Sequence, residues 1–402
     1  MAKPVLSFLI IALSFSMLSC TQPTLLEQAL IDAEFKVKKV LDLADEHEVQ
    51  IRYTQIKRGE NNLPEFTTYS LFEDSETYFY PASTAKLPVA ALALQRIREL
   101  QAEGIAIDRN TPFHIRDRDN HPIALEDSTA LNGTLSIAHL IKKIFLVSDN
   151  DAYNYLFDFL GTDYINSELR VKGLKETSIH HKFLFGADNN RTWEYYFLHE
   201  QDTLYKQQSI HSKELINNGN LKKMIKGVGY LDDDKLVNEP FDFSKKNRIS
   251  INDLEGILKR IIFPEIFDSD ERFDLLEEDY EFLQYWMSRN TLESNDPDYS
   301  SDPDLYDSYV KFFIYGDQKG TMTDEVRIFN KVGDAYGTLT ETAYIQDRAS
   351  AIEFLLTATV HVNENQIFND NIYEYDSIGF PFMAGLGRAI LNYERNGVNQ
   401  KK

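Results

Sequence analysis

One stretch, Tyr80 to Pro88, places a polar pair where an extended segment turns into an apolar helix. The apolar run from Val89 to Leu100 predicts that helix. Ser83 lies at the mouth of the helix and Lys86 follows three residues later, on the same helical face. Lys86 could therefore take the proton of the Ser83 hydroxyl if its own pKa falls, which would make Ser83 a nucleophile. The alternative is that Ser83 caps the helix and Lys86 is a solvated residue of its first turn.

Segments with β-type patterning occur near both ends of the chain and predict one antiparallel sheet. A first helix over Leu25 to Glu46 and a final helix over Pro381 to Glu394 flank these segments. The predicted strands cover 49–56, 66–72, 326–332, 338–346 and 351–362. Because strands from both termini enclose a region rich in helices, we expect an α+β fold.

A junction between two predicted helices carries Ser148-Asp149-Asn150. Apolar residues recur with a helical period from Ser136 to Val147, and again from Ala152 to Gly161. Ser, Asp and Asn are also the residues that ordinarily cap helices, so the triplet alone does not identify a site. Further helices are predicted over 165–172, 251–262 and 274–289.

A lysine and a glycine, Lys331 and Gly333, stand on the strand that precedes the C-terminal hairpin. Glycine at a sheet edge lets another molecule approach the backbone closely, and the lysine charge suits an anionic group. An ordinary transition from strand to turn would explain the same residues.

The first residues have the pattern of an export signal, with Lys3 before an apolar run from Val5 to Ser19. That run is too short to cross the ~30 Å core of a bilayer comfortably. Residues 1–19 resemble a bacterial lipoprotein signal peptide, with Cys20 as the lipidated first residue of the mature chain, although Leu18 lies one place nearer the cysteine than is usual. A plain secretory signal and a single anchor helix are the alternatives. We expect an exported, membrane-anchored lipoprotein that faces the periplasm or the cell surface and has no disulfide, because Cys20 is the only cysteine.

The net charge of −22 argues against nucleic acid as a partner, and against membrane contact beyond the lipid anchor. The acidic loop 295–304 lacks the spacing and the glycine of an EF-hand, and the histidines show no zinc-binding pattern on a helix. We therefore expect neither a metal nor another cofactor. No feature of the sequence indicates an oligomeric state.

Three short motifs occur in one order, and each lies in the type of element expected for it: Ser83-x-x-Lys86, Ser148-Asp149-Asn150 and Lys331-Val332-Gly333. Together they resemble the signature of the serine β-lactamase and penicillin-binding protein superfamily, and class A β-lactamases most of all. The resemblance extends from Val49 to Arg395. It implies a β-lactamase/transpeptidase-like α+β fold, in which helices flank a five-stranded antiparallel sheet and a helical subdomain lies beside it.

This resemblance implies a domain organisation as well. A catalytic domain over 47–402 would take its sheet from 47–80 and 326–402, and its helical subdomain from 87–325. Residues 20–46 would form a lipid-anchored segment and the first helix.

The resemblance further implies how protons would move. Ser83 would be the acylated nucleophile and Lys86 would accept or relay its proton. That role requires a lysine pKa of ~7, well below the usual ~10.4, which burial and the nearby cation of Lys331 could produce. Ser148 would pass the proton to the leaving nitrogen.

Substrate contacts are implied in the same way. Asn150 would hydrogen-bond the amide side chain of a substrate and Lys86. The backbone N–H groups of Ser83 and of Asp334, the residue after Gly333, would form the oxyanion hole. The substrate would be a small β-lactam or a peptide of peptidoglycan type.

Three departures from the class A pattern affect the expected substrate and turnover. No Glu-x-x-Leu-Asn motif follows the second motif, and the region Phe183 to Arg191 offers only Asp188, with Glu194 and Glu200 further on. Val332 replaces the usual hydroxyl residue, and Asp334 brings a carboxylate next to the site. We therefore expect slow release of an acyl group and weak recognition of β-lactams.

Three functions remain open from the sequence. The first is an acyl-serine hydrolase of β-lactamase type. The second is a cell-wall D,D-peptidase or an esterase. The third is a lipid-anchored protein that has kept the hydrolase fold without turnover.

Overall fold

The computed structural model describes residues 22–184, 186–200, 202–213 and 218–399. The predicted signal peptide and Cys20 lie outside these residues, so both remain expectations. No helix among the described residues is long and apolar enough to cross a bilayer.

The predicted first helix over Leu25 to Glu46 is wrong, because the chain forms two short helices there, α1 Leu25–Ile31 and α2 Phe35–Asp42. Thr24 begins α1 with a reciprocal capping box to Glu27. α1 ends at the C-cap Asp32, and both helices pack against the last helix of the chain. The break lets each short helix turn its own apolar residues toward that partner.

The remaining helices lie where the apolar periodicity of the sequence predicts them, although their first and last residues differ by a few positions. Among them, the helix predicted from Asp274 begins at Glu277, because the preceding residues are extended. Their bounds are α3 Lys86–Ala102, α4 Ile137–Val147, α5 Asn150–Leu160, α6 Thr162–Val171, α7 Ile251–Ile262, α8 Glu277–Ser288 and α9 Phe380–Asn399.

The strands are short in the middle of the chain and long near its ends. Their bounds are β1 Gln50–Arg58, β2 Pro64–Leu71, β3 Phe113–Arg116, β4 Pro122–Ala124, β5 Thr177–Ser178, β6 Glu194–His199, β7 Asp202–Gln207, β8 Ile225–Lys226, β9 Gly229–Asp232, β10 Lys235–Val237, β11 Phe241–Asp242, β12 Arg248–Ile249, β13 Val326–Ala335, β14 Thr338–Asp347, β15 Ile352–His361 and β16 Ile367–Phe368.

The central sheet has five antiparallel strands in the order β13-β14-β15-β1-β2, which confirms the predicted α+β fold. β14 and β15 lie inside the sheet, and almost every residue of both strands is buried. Their register pairs Thr342 with Lys331 on one side and with Thr357 on the other. The candidate lysine is therefore held by the best-buried part of the fold.

Each face of the sheet packs against its own hydrophobic core. One core joins the sheet to α3, α4, α5 and α7, and includes Leu92, Ile141 and Leu254. The other core joins the opposite face to α1, α2 and α9. These two cores hold the sheet rigidly between helical layers.

The middle of the chain is less helical than expected, because it also forms small sheets. The largest has four strands in the order β4-β3-β6-β7. In β6, the buried side chains of Tyr195 and Phe197 alternate with less buried neighbours, and the turn to β7 has Glu200 at a positive φ of 56°. That alternation was the signal for a strand, and the prediction of a helical region over 87–325 did not use it.

Candidate active site

Ser83 is presented by one turn of 3-10 helix, Ala82–Ala85, that runs directly into α3. The Thr84 hydroxyl donates to the Pro81 carbonyl over 2.6 Å and stabilises this turn. Ala82, although buried, has a φ of +45°, a conformation that costs a non-glycine residue about 1–2 kcal/mol. The strained turn leaves Ser83 half-buried at the end of the helix.

Gly333 of β13 lies directly against this turn. A Cβ atom at Gly333 would lie 2.9 Å from the Ser83 nitrogen and 2.7 Å from the Pro81 oxygen, which is closer than real side chains approach. Any side chain at this position would push the strand away from Ser83. Glycine is thus required here by the packing of two backbones.

Lys86 is completely buried at the start of α3, and its ammonium group donates hydrogen bonds to two residues of the helix junction. It donates to the Ser148 carbonyl, to Ser148 Oγ over 3.3 Å and to Asn150 Oδ1 over 2.7 Å. Among the described contacts, Lys86 makes no hydrogen bond to Ser83 Oγ. The expected Lys86–Ser83 pair is therefore adjacent in sequence but not hydrogen-bonded in this structure.

Lys331 approaches the same serine from the sheet. Its ammonium group donates to Ser148 Oγ over 2.9 Å and to the Val332 carbonyl over 2.8 Å. The amino groups of Lys86 and Lys331 thus both donate to one hydroxyl oxygen and occupy its two lone pairs. The single hydroxyl proton of Ser148 must then point elsewhere, where it can be given to another group.

The pKa values of both lysines are lowered. Burial lowers the pKa of Lys86 most, the Lys331 charge lowers it further, and Asp149 and Asp334 oppose the shift, leaving it well below the ordinary value. Burial lowers the pKa of Lys331 to about 7, against the opposing charges of Asp334 and Glu341. A neutral amine, which is the form that accepts a proton, is thus accessible here near neutral pH.

A cavity of about 660 Å³ opens beside Ser83. Four of the predicted site residues line it: Ser83, Ser148, Asn150 and Asp334. The other lining residues are mainly aromatic or polar, and the sequence prediction did not include them as site residues: Tyr80, Ala82, Val147, His181, Lys182, Phe183, Leu184, Lys246, Tyr309, Ala335, Tyr336, Asn369, Asn371, Tyr373 and Tyr375.

An aromatic ring lies beside Lys86, on the segment in which a deacylating base was sought. The centre of the Phe183 ring is 5.2 Å from Lys86 Nζ and 4.5 Å from the Tyr153 ring. The Phe183 N–H donates to Asn154 Oδ1 over 2.6 Å, which fixes the position of the segment. An apolar ring over Lys86 excludes water from the amine.

The three carboxylates considered as deacylating bases do not reach the cavity. Asp188 and Glu200 are exposed, and Glu194 forms an ion pair of 2.8 Å with Lys206. Among the described residues that line the cavity, Asp334 alone carries a carboxylate. None of these three carboxylates can therefore act as a base at the cavity in this structure.

Asp334 and Val332 face different surroundings. Val332 is buried in the core behind the sheet, so its side chain does not line the cavity. The protein atoms around the Asp334 carboxyl group displace water from it and so raise its pKa, while the charges of Lys331 and Lys86 oppose this increase. Because Asp334 is nevertheless exposed to solvent in the cleft, hydration and both cations favour its charged form.

A buried polar network supports β13 from behind. Lys311 is buried and donates to the Met287 carbonyl over 2.8 Å and to Asn330 Oδ1 over 2.5 Å. The Asn330 amide in turn donates to Glu341. These contacts fix the residue directly before Lys331, and so help to hold its ammonium group at Ser148.

Two acidic loops are the places where a metal would be considered. Asp117, Asp119 and His121 have ligand atoms within 4.8 Å of one another. However, Asp117 Oδ1 already accepts the N–H groups of Asp119 and His121, as in an ordinary turn. In the 295–304 loop, Asp296 accepts a hydrogen bond from Leu131 and pairs with Lys142. Neither loop contributes a residue to the cavity.

The fold and the site together define a class of protein. A serine at a helix start, a second serine and two buried lysines meet at one cavity beside a five-stranded antiparallel sheet. This arrangement is that of a serine hydrolase of β-lactamase type. A model of the beta-lactamase enzyme family matches residues 33–375, which is most of the chain, and the protein therefore belongs to that family.

Solved structures with a similar course of the chain are distant in sequence. A beta-lactamase from Xanthomonas campestris pv. campestris is 15% identical, with a TM-score of 0.49 over 92% of this chain and 98% of that one. L2 in complex with relebactam is 12% identical, with a TM-score of 0.47 over 91% and 97%. A beta-lactamase from Streptosporangium roseum is 14% identical, with a TM-score of 0.46 over 89% and 98%. No curated protein sequence matches the chain.

Proposed function

We propose that the protein is a serine acyl-enzyme hydrolase of class A β-lactamase type, in which Ser83 attacks an amide or β-lactam carbonyl. The observation that carries the proposal is the Ser148 hydroxyl, which accepts hydrogen bonds from both Lys86 and Lys331 at the cavity that Ser83 lines. A hydroxyl held by two amines of lowered pKa is suited to moving a proton between a nucleophile and a leaving group.

Acylation would combine the attack of Ser83 on the carbonyl carbon with proton transfer to the leaving nitrogen. Neutral Lys86 takes the proton of Ser83 as the bond between Ser83 Oγ and the carbonyl carbon forms. For this step, Lys86 Nζ must first exchange its contact with Asn150 for one with Ser83. The carbonyl oxygen becomes an oxyanion, which the backbone N–H groups of Ser83 and Asp334 would stabilise. The carbon–nitrogen bond then breaks, and the leaving nitrogen receives the Ser148 proton. Lys331 or protonated Lys86 restores that proton.

Slow deacylation is a second candidate behaviour, and Phe183 favours it. Water must attack the acyl-enzyme with help from a base, but an aromatic ring covers Lys86 and none of the three acidic candidates lines the cavity. A long-lived acyl-enzyme would correspond to a D,D-peptidase, a penicillin-binding protein or an esterase. Peptides of peptidoglycan type are then substrates beside β-lactams.

One labelling experiment separates these possibilities. Fluorescent penicillin should label the protein covalently, and S83A should abolish the label. Rapid hydrolysis of nitrocefin together with labelling identifies a β-lactamase, whereas a stable label without hydrolysis identifies a penicillin-binding protein. If neither penicillin nor a fluorophosphonate reacts with Ser83, the protein is a non-catalytic lipoprotein on a hydrolase fold.

We also propose that the protein is exported and anchored through a lipid on Cys20, which the N-terminal sequence pattern supports. Labelled palmitate supplied to cells that express the full chain should be incorporated, and C20A should prevent this and release the protein from the membrane fraction. Incorporation that persists in C20A would contradict the proposal.

A further inference from the structure

His181 lies at the catalytic cavity, on a segment that carries none of the three sequence motifs. Its backbone N–H donates to Oδ1 of the buried Asn247 over 3.2 Å. Its carbonyl accepts from the Tyr153 hydroxyl over 2.9 Å. The backbone of His181 is thus held on both sides, and its imidazole ring extends from a fixed position.

Two aromatic rings hold the imidazole of His181 in place. The Tyr80 ring is nearly parallel to it, with an angle of 4° between the planes and 6.2 Å between the centroids. The Phe183 ring lies 5.6 Å away at an angle of 69°. Tyr80 precedes Ser83 by three residues, and Phe183 lies over Lys86, so the imidazole packs between the segments that adjoin both catalytic residues.

The hydrogen bonds of the ring determine which nitrogen carries the proton. His181 Nδ1 lies 3.0 Å from the Lys182 carbonyl oxygen. Because a carbonyl can only accept, Nδ1 is the protonated nitrogen of the neutral ring, and Nε2 carries a lone pair. Nε2 accepts no hydrogen bond from any residue that the structure describes. A buried acceptor without a protein partner is costly, and a role in chemistry is one reason for a fold to keep it.

The imidazole is neutral at pH 7 and can therefore accept a proton. Burial is the main cause that lowers the pKa of His181, to about 4. The Lys182 carbonyl opposes this decrease, and the charges of Lys246 and His180 add to it. Among the described residues that line the cavity, Asp334 carries the one carboxylate and is the alternative base.

We propose that His181 is the general base of deacylation, which activates the water that hydrolyses the acyl-enzyme; this inference rests on Ser83 being the acylated residue. A water molecule donates a hydrogen bond to His181 Nε2 and attacks the acyl carbon, while Nε2 takes one of the two water protons. The bond between the acyl carbon and Ser83 Oγ then breaks. Nε2 gives the proton to Ser83 Oγ, and the carboxylic acid leaves with the remaining oxygen and proton of the water.

The position of His181 in the chain explains how a base can be present without the class A motif. The resemblance implies a glutamate base after the second motif, and the segment Phe183 to Arg191 lacks it. His181 precedes that segment by two residues and offers a nitrogen lone pair in place of a carboxylate. The cavity of about 660 Å³ that both His181 and Ser83 line leaves space for a water between them. The inference therefore favours turnover over a persistent acyl-enzyme.

The test compares the lifetime of the acyl-enzyme in matched histidine variants. H181N keeps a donor for the Lys182 carbonyl but has no atom in place of Nε2, and H121N makes the same change at an exposed histidine that does not line the cavity. After labelling with fluorescent penicillin and removal of the free reagent, the label on H181N should persist about 10²–10⁴-fold longer than on the parent or H121N. The rate constant of labelling should change far less, because Lys86 and Ser148 move the protons of acylation.

Added imidazole distinguishes a base from a packing residue. H181A leaves space beside Tyr80 and Phe183, and imidazole should shorten the lifetime of its label in proportion to the concentration added. The same additions should not alter the lifetime on H121A. Thermal unfolding identifies the variants that are folded, and H181Q replaces H181N if H181N is not.

The outcomes separate this inference from the proposed function. If the parent is labelled but H181N loses its label as fast as the parent does, His181 is not the base and the inference alone is wrong. It is also wrong if imidazole does not accelerate the loss of label from H181A, or if D334N prolongs the label and H181N does not. A parent that is not labelled at all would contradict the proposed function, and this inference with it.

Discussion

The backbone of Gly333 lies against the backbone of Ser83 so closely that a Cβ atom would approach the Ser83 nitrogen to 2.9 Å. The strand and the nucleophilic turn therefore share one surface without a side chain between them. The N–H groups proposed to stabilise the oxyanion, those of Ser83 and Asp334, belong to these two segments.

Substituting Gly333 tests this contact. G333A should separate the strand from the turn by a few tenths of an ångström, and the rate of acylation should fall by about 10²–10³, as expected when one oxyanion donor is displaced. The measurement is the rate of covalent labelling by fluorescent penicillin. G320A is the matched control, because a Cβ at Gly320 meets no atom within 4 Å. Equal effects of both substitutions would disprove a special role for the contact.

Removing the Lys331 charge should change the pH dependence of acylation. The cation of Lys331 lowers the pKa of Lys86, so its removal stabilises protonated Lys86 and raises that pKa. In K331M, the acidic limb of the pH–rate profile should therefore move to higher pH. Labelling rates between pH 5 and 10 provide the measurement.

Two other results for K331M would contradict a role of the Lys331 charge in lowering the pKa of Lys86. A loss of rate at every pH without a displaced limb would mean that Lys331 acts only through its contact with Ser148. A limb that moves to lower pH would contradict the electrostatic argument.

Replacing Phe183 with alanine should affect both the acylation of Ser83 and the hydrolysis of the acyl-enzyme. F183A admits water to Lys86, and because burial is the main cause of its lowered pKa, hydration should raise that pKa and slow acylation at neutral pH. The same water should shorten the life of the acyl-enzyme several-fold. The decay of the fluorescent label measures this, with L131A as a control at an exposed leucine that does not line the cavity. An unchanged decay rate would show that the ring does not limit deacylation.

The buried pair Asp158–Lys182 supports the segment that carries Phe183. Their side chains are 1% and 2% exposed, and Asp158 Oδ2 also accepts the Trp193 N–H over 2.6 Å. D158A leaves Lys182 buried without its partner, and should lower the free energy of unfolding by about 3–5 kcal/mol. Urea denaturation followed by tryptophan fluorescence measures the change.

A surface pair provides the comparison for this prediction. Lys222 and Asp74 are 62% and 38% exposed, so K222A, which removes only the surface cation, should cost at most about 1 kcal/mol. The double variant D158L/K182M should recover much of the stability that D158A loses, because it leaves no unpaired charge in the core. Similar losses for D158A and K222A would contradict the role of burial.

The sequence predicted the parts of the site that lie on regular elements. Periodicity placed β13, β14 and β15, and the motifs placed Ser83, Ser148 and Lys331 on segments that the fold brings to one cavity. Ser148 and Lys331 are 183 residues apart, and no local pattern shows that their side chains meet. Only the family resemblance could bring them together before the structure was known.

The walls of the cavity could not be predicted in this way. Phe183, Lys246 and Tyr336 come from turns and loops whose course depends on tertiary packing. The Lys86–Asn150 hydrogen bond that the resemblance implied is present, whereas the contact with the Ser83 hydroxyl suggested by the local spacing is absent among the described hydrogen bonds, because Lys86 Nζ donates to oxygens of the helix junction. Local spacing determines which atoms can meet, whereas the lowest-energy partner depends on every acceptor nearby.

The position of β13 at the edge of the central sheet also determines how the backbone around the site exchanges its amide protons. β14 and β15 have a strand on each side and a hydrophobic core on each face. Their amides can exchange with solvent only when the whole domain opens. β13 has a single neighbour, so small local openings suffice for its outer amides. The amides on the outer side of β13, the strand that carries Lys331 and Gly333, should therefore exchange faster than those of β14 and β15. β13 is nevertheless hydrogen-bonded to β14, whose amides exchange slowly.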